Sequence, residues 1–203
     1  MDNYIMVGGK KIPLTQEQVK QIMGSVETKE EKVALSILDP GDTFKIGNVE
    51  FLVLEQEGET TAAIKKNLLV ADMEFGDNNN YAESPIRETC EKFAVGIAGE
   101  IGEENLLEHT VELTANDGLK DFGEVKAKAS LLTADRYRKY VQILDTTKMG
   151  DYWWLATPWS TPAHGINYAV LCVSPSGCVG CNSYFSNGVR PFCIFKSTIL
   201  VSR

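Results

Sequence analysis

Cys178 and Cys181 stand three residues apart, with Cys172 and Cys193 nearby in the chain. Four thiolates can hold structural zinc, but such sites draw on two close pairs, or on one pair plus two histidines. Here there is one close pair, and in a strand side chains three apart point to opposite faces. Inert thiols are therefore expected, ahead of a redox pair or a metal. His109 and His164 are the two histidines. No Gly-x-Ser-x-Gly elbow accompanies them. A Ser-His-Asp arrangement needs no adjacency in sequence, yet nothing singles one out, and His164 reads as a contact or plain loop residue. Asp77-Asn78-Asn79-Asn80 offers oxygen ligands without the spacing or closing Glu of a calcium loop. It reads as a solvated loop. No glycine-rich phosphate loop or dinucleotide fingerprint is present. No catalytic residue, metal or cofactor is assigned, and a non-enzyme is expected.

A different kind of signal runs through residues 152–195. They carry one charged residue, Arg190, where the chain-wide 24% would place about ten. All three Trp and four of the five Cys fall in the same stretch. Its middle is small, polar and aromatic: Ala163-His164-Gly165-Ile166-Asn167-Tyr168, then Cys178-Val179-Gly180-Cys181-Asn182-Ser183-Tyr184-Phe185. Tyr, Ser, Gly and Asn dominate recognition loops, where rigid aromatics supply area and short polar groups adapt. A buried C-terminal sheet core would also lack charge, so both readings stand at this point.

The elements that must position these residues are legible in outline. Thr15 offers an N-cap before Val19, Ile22 and Met23 at helical spacing. A second short helix is expected over residues 30–35, with Val33 and Ile37 facing inward. Asp39-Pro40-Gly41-Asp42 makes a turn and a boundary between a leading element (1–39) and a main domain (40–203). Residues 43–46 and 49–54 read as a hairpin about Gly47-Asn48, continued by strands at 60–64 and 68–71. Ser84 caps a helix with Pro85 first and Ile86, Cys90, Phe93 and Ile97 on one face. Strands follow at 106–114 and 129–132, and a helix starts at Thr133. Closing strands are expected at 153–156, 170–173, 178–181 and 189–195.

With 203 residues the chain can bury a proper core. Its net charge of -8 argues against sequence-independent binding to nucleic acid or anionic lipid. No apolar stretch reaches membrane-spanning length and no signal peptide is visible after Met1. A protein made in the cytoplasm, or carried on a particle assembled there such as a phage tail, is expected.

Four segments come in a telling order: Asn80-Tyr81-Ala82-Glu83-Ser84-Pro85-Ile86-Arg87, Ser130-Leu131-Leu132-Thr133, Trp153-Trp154-Leu155-Ala156-Thr157-Pro158 and Asn187-Gly188-Val189-Arg190-Pro191-Phe192. Together they resemble a widespread phage and gut-bacterial domain with a C-type-lectin-like or formylglycine-generating-enzyme-like fold. That group includes the variable proteins targeted by diversity-generating retroelements. The resemblance covers roughly residues 40–196. It implies an α+β fold with a small antiparallel sheet core, two main helices and a long C-terminal β/loop region. In such systems template Asn codons scatter into a residue set that excludes Lys, Glu, Gln, Met and Trp. Residues 160–187 contain none of those five.

The resemblance implies a receptor-recognition protein with a variable region at about 160–187. Its diversified ligand-binding positions would be Ala163, His164, Gly165, Ile166, Asn167, Tyr168, Cys178, Gly180, Cys181, Asn182, Ser183, Tyr184 and Phe185. Residues 170–177 would be fixed scaffold between them. Trp153, Trp154, Gly188, Val189, Arg190 and Pro191 would be structural, and Arg190, costly to bury unpaired, should hold a carboxylate or backbone carbonyls. The partner would be a protein or surface glycan across about 800 Å2 per side, and a homo-oligomer is compatible with this. Calcium-dependent sugar binding is not expected, because the Glu-Pro-Asn or Gln-Pro-Asp and Trp-Asn-Asp triplets it uses are missing. Alternatives are a Cys-dependent oxidase on the related fold and an invariant structural virion protein.

Overall fold

The computed structural model describes residues 4–19, 32–145, 149–182 and 186–203. Contacts divide the chain into two compact units, Met1–Glu31 and Lys32–Arg203. In the leading unit β1 (Tyr4–Val7) and β2 (Lys10–Pro13) form an antiparallel hairpin. Gly8 and Gly9 join them, both at positive φ, the backbone that a two-residue hairpin turn requires. A helical turn starts at Gln16. The Thr15 hydroxyl accepts from the Gln18 amide while the Gln18 side chain accepts from the Thr15 amide, a reciprocal capping box. Ile22 and Met23 lie outside the described residues.

The main unit opens with β3 (Lys32–Ala34) and a 3-10 turn at Leu35–Ile37. Of the short helix expected at 30–35, the described residues 32–34 are a strand and Leu35 opens the 3-10 turn, and Ile37 is exposed while Leu35 and Leu38 are buried. Next come β4 (Thr43–Ile46), β5 (Val49–Glu57), β6 (Thr60–Lys65) and β7 (Val70–Met73). Helix α1 (Pro85–Ile101) begins where the Ser84 hydroxyl accepts from the Ile86 amide, and it buries Ile86, Cys90, Ala94 and Ile97. After it lie β8 (Leu106–Leu107), β9 (His109–Glu112), β10 (Glu124–Ala127) and β11 (Ala129–Ser130). Thr133 caps α2 (Ala134–Leu144), accepting from the Arg136 amide. The chain closes with β12 (Trp153–Pro158), β13 (Val170–Val173), β14 (Val179–Asn182), β15 (Asn187–Val189), β16 (Phe192–Lys196) and β17 (Leu200–Ser202).

These strands build two large sheets. One runs β11-β16-β6-β5-β4-β17-β3, with β8 added against β16, and the other runs β14-β13-β12-β15-β7. Strands β9 and β10 make a separate pair. Burial falls into two apolar clusters. Trp154, Ala156, Val170 and Cys172 pack with Phe51, Phe195 and the inner face of α1. Trp153, Leu155, Leu171 and Val173 pack with Leu52, Ile64, Phe192 and the Tyr137, Tyr140 and Leu144 face of α2. Successive residues of β12 therefore enter different clusters, and all six are buried. A strand covered on both faces reads as an unbroken apolar run.

This architecture overturns the expected α+β, C-type-lectin-like fold with a small sheet core. The described chain is mostly β, with two multi-strand sheets and two α-helices in its main unit. The reason is local. Strands β3, β8, β10, β11 and β17 hold two to four residues each, too few to show a two-residue period. The single strand expected at 189–195 is also two strands in two sheets, β15 and β16.

Candidate functional site

The five-stranded sheet takes four of its strands, β12 to β15, from the low-charge stretch. Trp153 and Trp154 are fully buried and pair with Val173 and Cys172 of β13. The Trp154 indole donates to the Met73 carbonyl at 2.8 Å, so its one polar atom is satisfied. Gly188 packs where a Cβ would lie 2.5 Å from a Leu68 methyl, which leaves room for no other residue without movement. Val189 and Pro191 are buried beside it. Arg190 is 1% exposed. Its Nε donates to the Lys65 carbonyl at 2.9 Å and an Nη to the Lys66 carbonyl at 3.1 Å. Its guanidinium lies over the Trp153 ring at 5.4 Å. Burial pushes its pKa down to about 10, so it stays charged at neutral pH. Arg190 and Pro191 mark where the chain leaves one sheet for the other.

On this frame, residues 159–169 loop from β12 to β13. The Trp159 amide donates to the Ala169 carbonyl at 2.9 Å and closes the base. Asn79, 0% exposed, reaches in from the loop before α1. Its Nδ2 donates to the Ser160 carbonyl at 2.9 Å and the Ala169 carbonyl at 3.2 Å. Its backbone amide donates to the Asn167 carbonyl. Two carboxylates hold the other side: Ser160 donates to Asp117 at 2.5 Å and Thr161 to Asp121 at 2.6 Å. His164 Nδ1 also lies 3.0 Å from Asp117. The Ser160 hydroxyl first, with His164 assisting, holds the Asp117 carboxyl below its ordinary range. Pro162–His164 make a 3-10 turn that ends at Gly165 in the left-handed region.

Above these anchors the side chains of Ala163, His164, Asn167 and Tyr168 are exposed, as is Gly165, and Ile166 is half-buried. Across the buried β13 lies β14, where Gly180 and Cys181 are exposed and Asn182 is half-buried, with the exposed Cys178 just before it. Ser183, Tyr184 and Phe185 lie outside the described residues. Trp159 (40%), Tyr168 (45%) and Val179 (38%) add exposed apolar surface. Sequence reasoning missed Asn79, Asp117 and Asp121. The Asp77–Asn80 run carries no visible mark of burial at Asn79, and by composition alone it reads as a solvated loop.

Other chemistry is sparse. No family model, curated protein or solved structure matches this chain. Cys178 and Cys181 are free thiols. Three residues of extended chain span about 10 Å, beyond the reach of a disulfide, about 7 Å between Cα atoms. Burial pushes the Cys172 thiol up to about 11 and the Cys90 thiol up to about 12, far from reactive thiolates. His109 and Ser130 meet at 2.9 Å, but the Ser130 hydroxyl donates to the Leu131 carbonyl. Ser130 is also fully buried, so its hydroxyl is not presented to a substrate as a nucleophile must be. Among the described residues, no group of His, Cys, Asp and Glu could hold a metal ion. No described helix is long and apolar enough to cross a membrane.

Proposed function

We propose that this protein is a recognition module whose ligand-binding face comprises the exposed side chains of the 163–168 loop and of residues 178–182. The observation that carries the reading is a separation of roles. Apart from the half-buried Ile166 and Asn182, the residues of these two segments are exposed, while the strand between them, Val170–Val173, is buried at every position. The loop is held by backbone carbonyls and by Ser160 and Thr161, so exchange at its tip removes the His164 contact to Asp117 and leaves those anchors in place. Such a face suits a protein or surface-glycan partner, and its residue set suits diversification by a retroelement.

Two experiments test this. At the DNA level, a near-copy of the coding segment for 160–187 with Asn codons at the exposed positions, beside a reverse transcriptase gene, is expected. An invariant segment in sibling isolates would overturn diversification. For binding, the full chain is displayed with positions 163, 164, 166, 167, 168, 178, 181 and 182 randomised and selected against streptavidin as an arbitrary protein. Most members should resist protease and binders should emerge. A library that is mostly unfolded would end the reading.

A further inference from the structure

β14 is the outer strand of its sheet and pairs only with β13 among the described residues. Exposed edges are usually blunted by charge, proline, a bulge or a covering element. Val179-Gly180-Cys181-Asn182 has neither charge nor proline, and its register runs unbroken from Val173↔Val179 to Val170↔Asn182. That register decides which backbone groups face outward. The Ser174 amide donates to the Cys178 carbonyl at 2.9 Å, and in antiparallel pairs bonded and non-bonded positions alternate. Gly180 and Asn182 therefore bond inward to Cys172 and Val170. The amides and carbonyls of Val179 and Cys181 point away from β13, as a row of strong donors and acceptors.

We propose that this edge docks an extended segment of a partner polypeptide, added as a sixth strand through the backbone of Val179 and Cys181. The proposal rests on reading this face as a recognition surface, and it adds the partner's class. Alternating donors and acceptors at strand spacing are matched by another peptide backbone, not by a sugar ring. A second copy of this chain is the weaker occupant: a four-residue edge spans about 13 Å, short of the roughly 800 Å2 per partner of a stable dimer. A docked segment continuing past Asn182 runs toward Trp159 and Tyr168, because Asn182 pairs with Val170 at the loop end of β13. Backbone bonds would supply a constant anchor, and the exchangeable side chains would choose the sequence.

The test uses the full chain and a pooled library of blocked octapeptides in which Thr alternates with random residues. Peptides should be enriched on the wild type and bind Cys181→Pro about ten-fold more weakly, the loss of one or two backbone hydrogen bonds. Proline at 181 removes an outward amide and spares the ladder to β13, so the thermal melt should be retained. Methylating alternate peptide amides should weaken binding in one set and spare the other, and this pattern decides the matter if Cys181→Pro does not fold. No enrichment, equal binding to both proteins, or indifference to methylation would overturn the proposal. So would a wild-type dimer that Cys181→Pro dissociates, which would make a second copy the occupant. If streptavidin binders emerge from the loop library while the peptide library yields none, the edge fails and the recognition surface stands. If peptides are enriched while the loop library is mostly unfolded, the edge stands and the exchangeable surface fails.

Discussion

At the scale of single residues, the least conspicuous polar side chain does the most positioning. Asn79 bridges to carbonyls 81 and 90 residues away, which no local pattern can announce. Asn79→Ala would take its side-chain donor from the Ser160 carbonyl and leave the Ala169 carbonyl only the Trp159 amide, in a buried site, at about 1–3 kcal/mol. It should lower the unfolding midpoint and speed amide exchange in 159–169 more than elsewhere. A uniform change in exchange would show that Asn79 does not act through the loop. His109 gives a prediction in pH. Burial first, then the Arg136 charge, lowers its pKa from 6.5 to about 3, so below pH 6.5 the unfolded chain binds a proton that the folded chain refuses. Its contribution is present above 6.5 and is lost as pH falls toward 3. Between pH 7 and pH 5 this costs about 2 kcal/mol. Urea titrations at the two pH values should show that slope in the wild type and a shallower one in His109→Gln; equal slopes would refute it.

At the scale of elements, what could be read from sequence was what is decided locally. Ser84 and Thr133 cap their helices through side-chain oxygens two or three residues away, and the Gly47-Asn48 turn joins β4 to β5 in register. The switch between sheets at Arg190-Pro191 was not legible, because Val189 and Phe192 are apolar in either sheet and only tertiary partners separate them. Gly188 belongs to the same problem. It pairs in parallel with Trp153 and leaves space for Leu68, a contact far distant in sequence. Gly188→Ala should therefore cost about 1–3 kcal/mol through overpacking. Adding Leu68→Ala should recover part of that loss, so the double variant is more stable than the sum of the two single changes. Strict additivity in denaturant titrations would mean the glycine is required for another reason.

At the scale of the whole molecule, stability and display occupy different parts of the chain. Every buried apolar side chain among the described residues lies between Leu35 and Val201, so a chain starting at Lys32 should keep the cooperative unfolding of the full protein. Within that unit the two apolar clusters draw on β12 and β13 but take nothing from the 163–168 loop or from β14. Replacing Ala163, Asn167, Tyr168 and Cys181 together by Ser, Ser, Asn and Ser should therefore shift stability by no more than about 1 kcal/mol, as for ordinary surface changes. By contrast, Leu171→Ala alone, from the strand between them, should cost about 2–5 kcal/mol, since it removes buried methyl groups and leaves a cavity. The comparison is one pair of denaturation curves against the wild type. If the quadruple exchange proved as damaging as the single core truncation, the outward side chains would be part of what folds the protein. A face that carried its own share of the folding energy could not be rewritten freely, and the separation between frame and surface would fail with it.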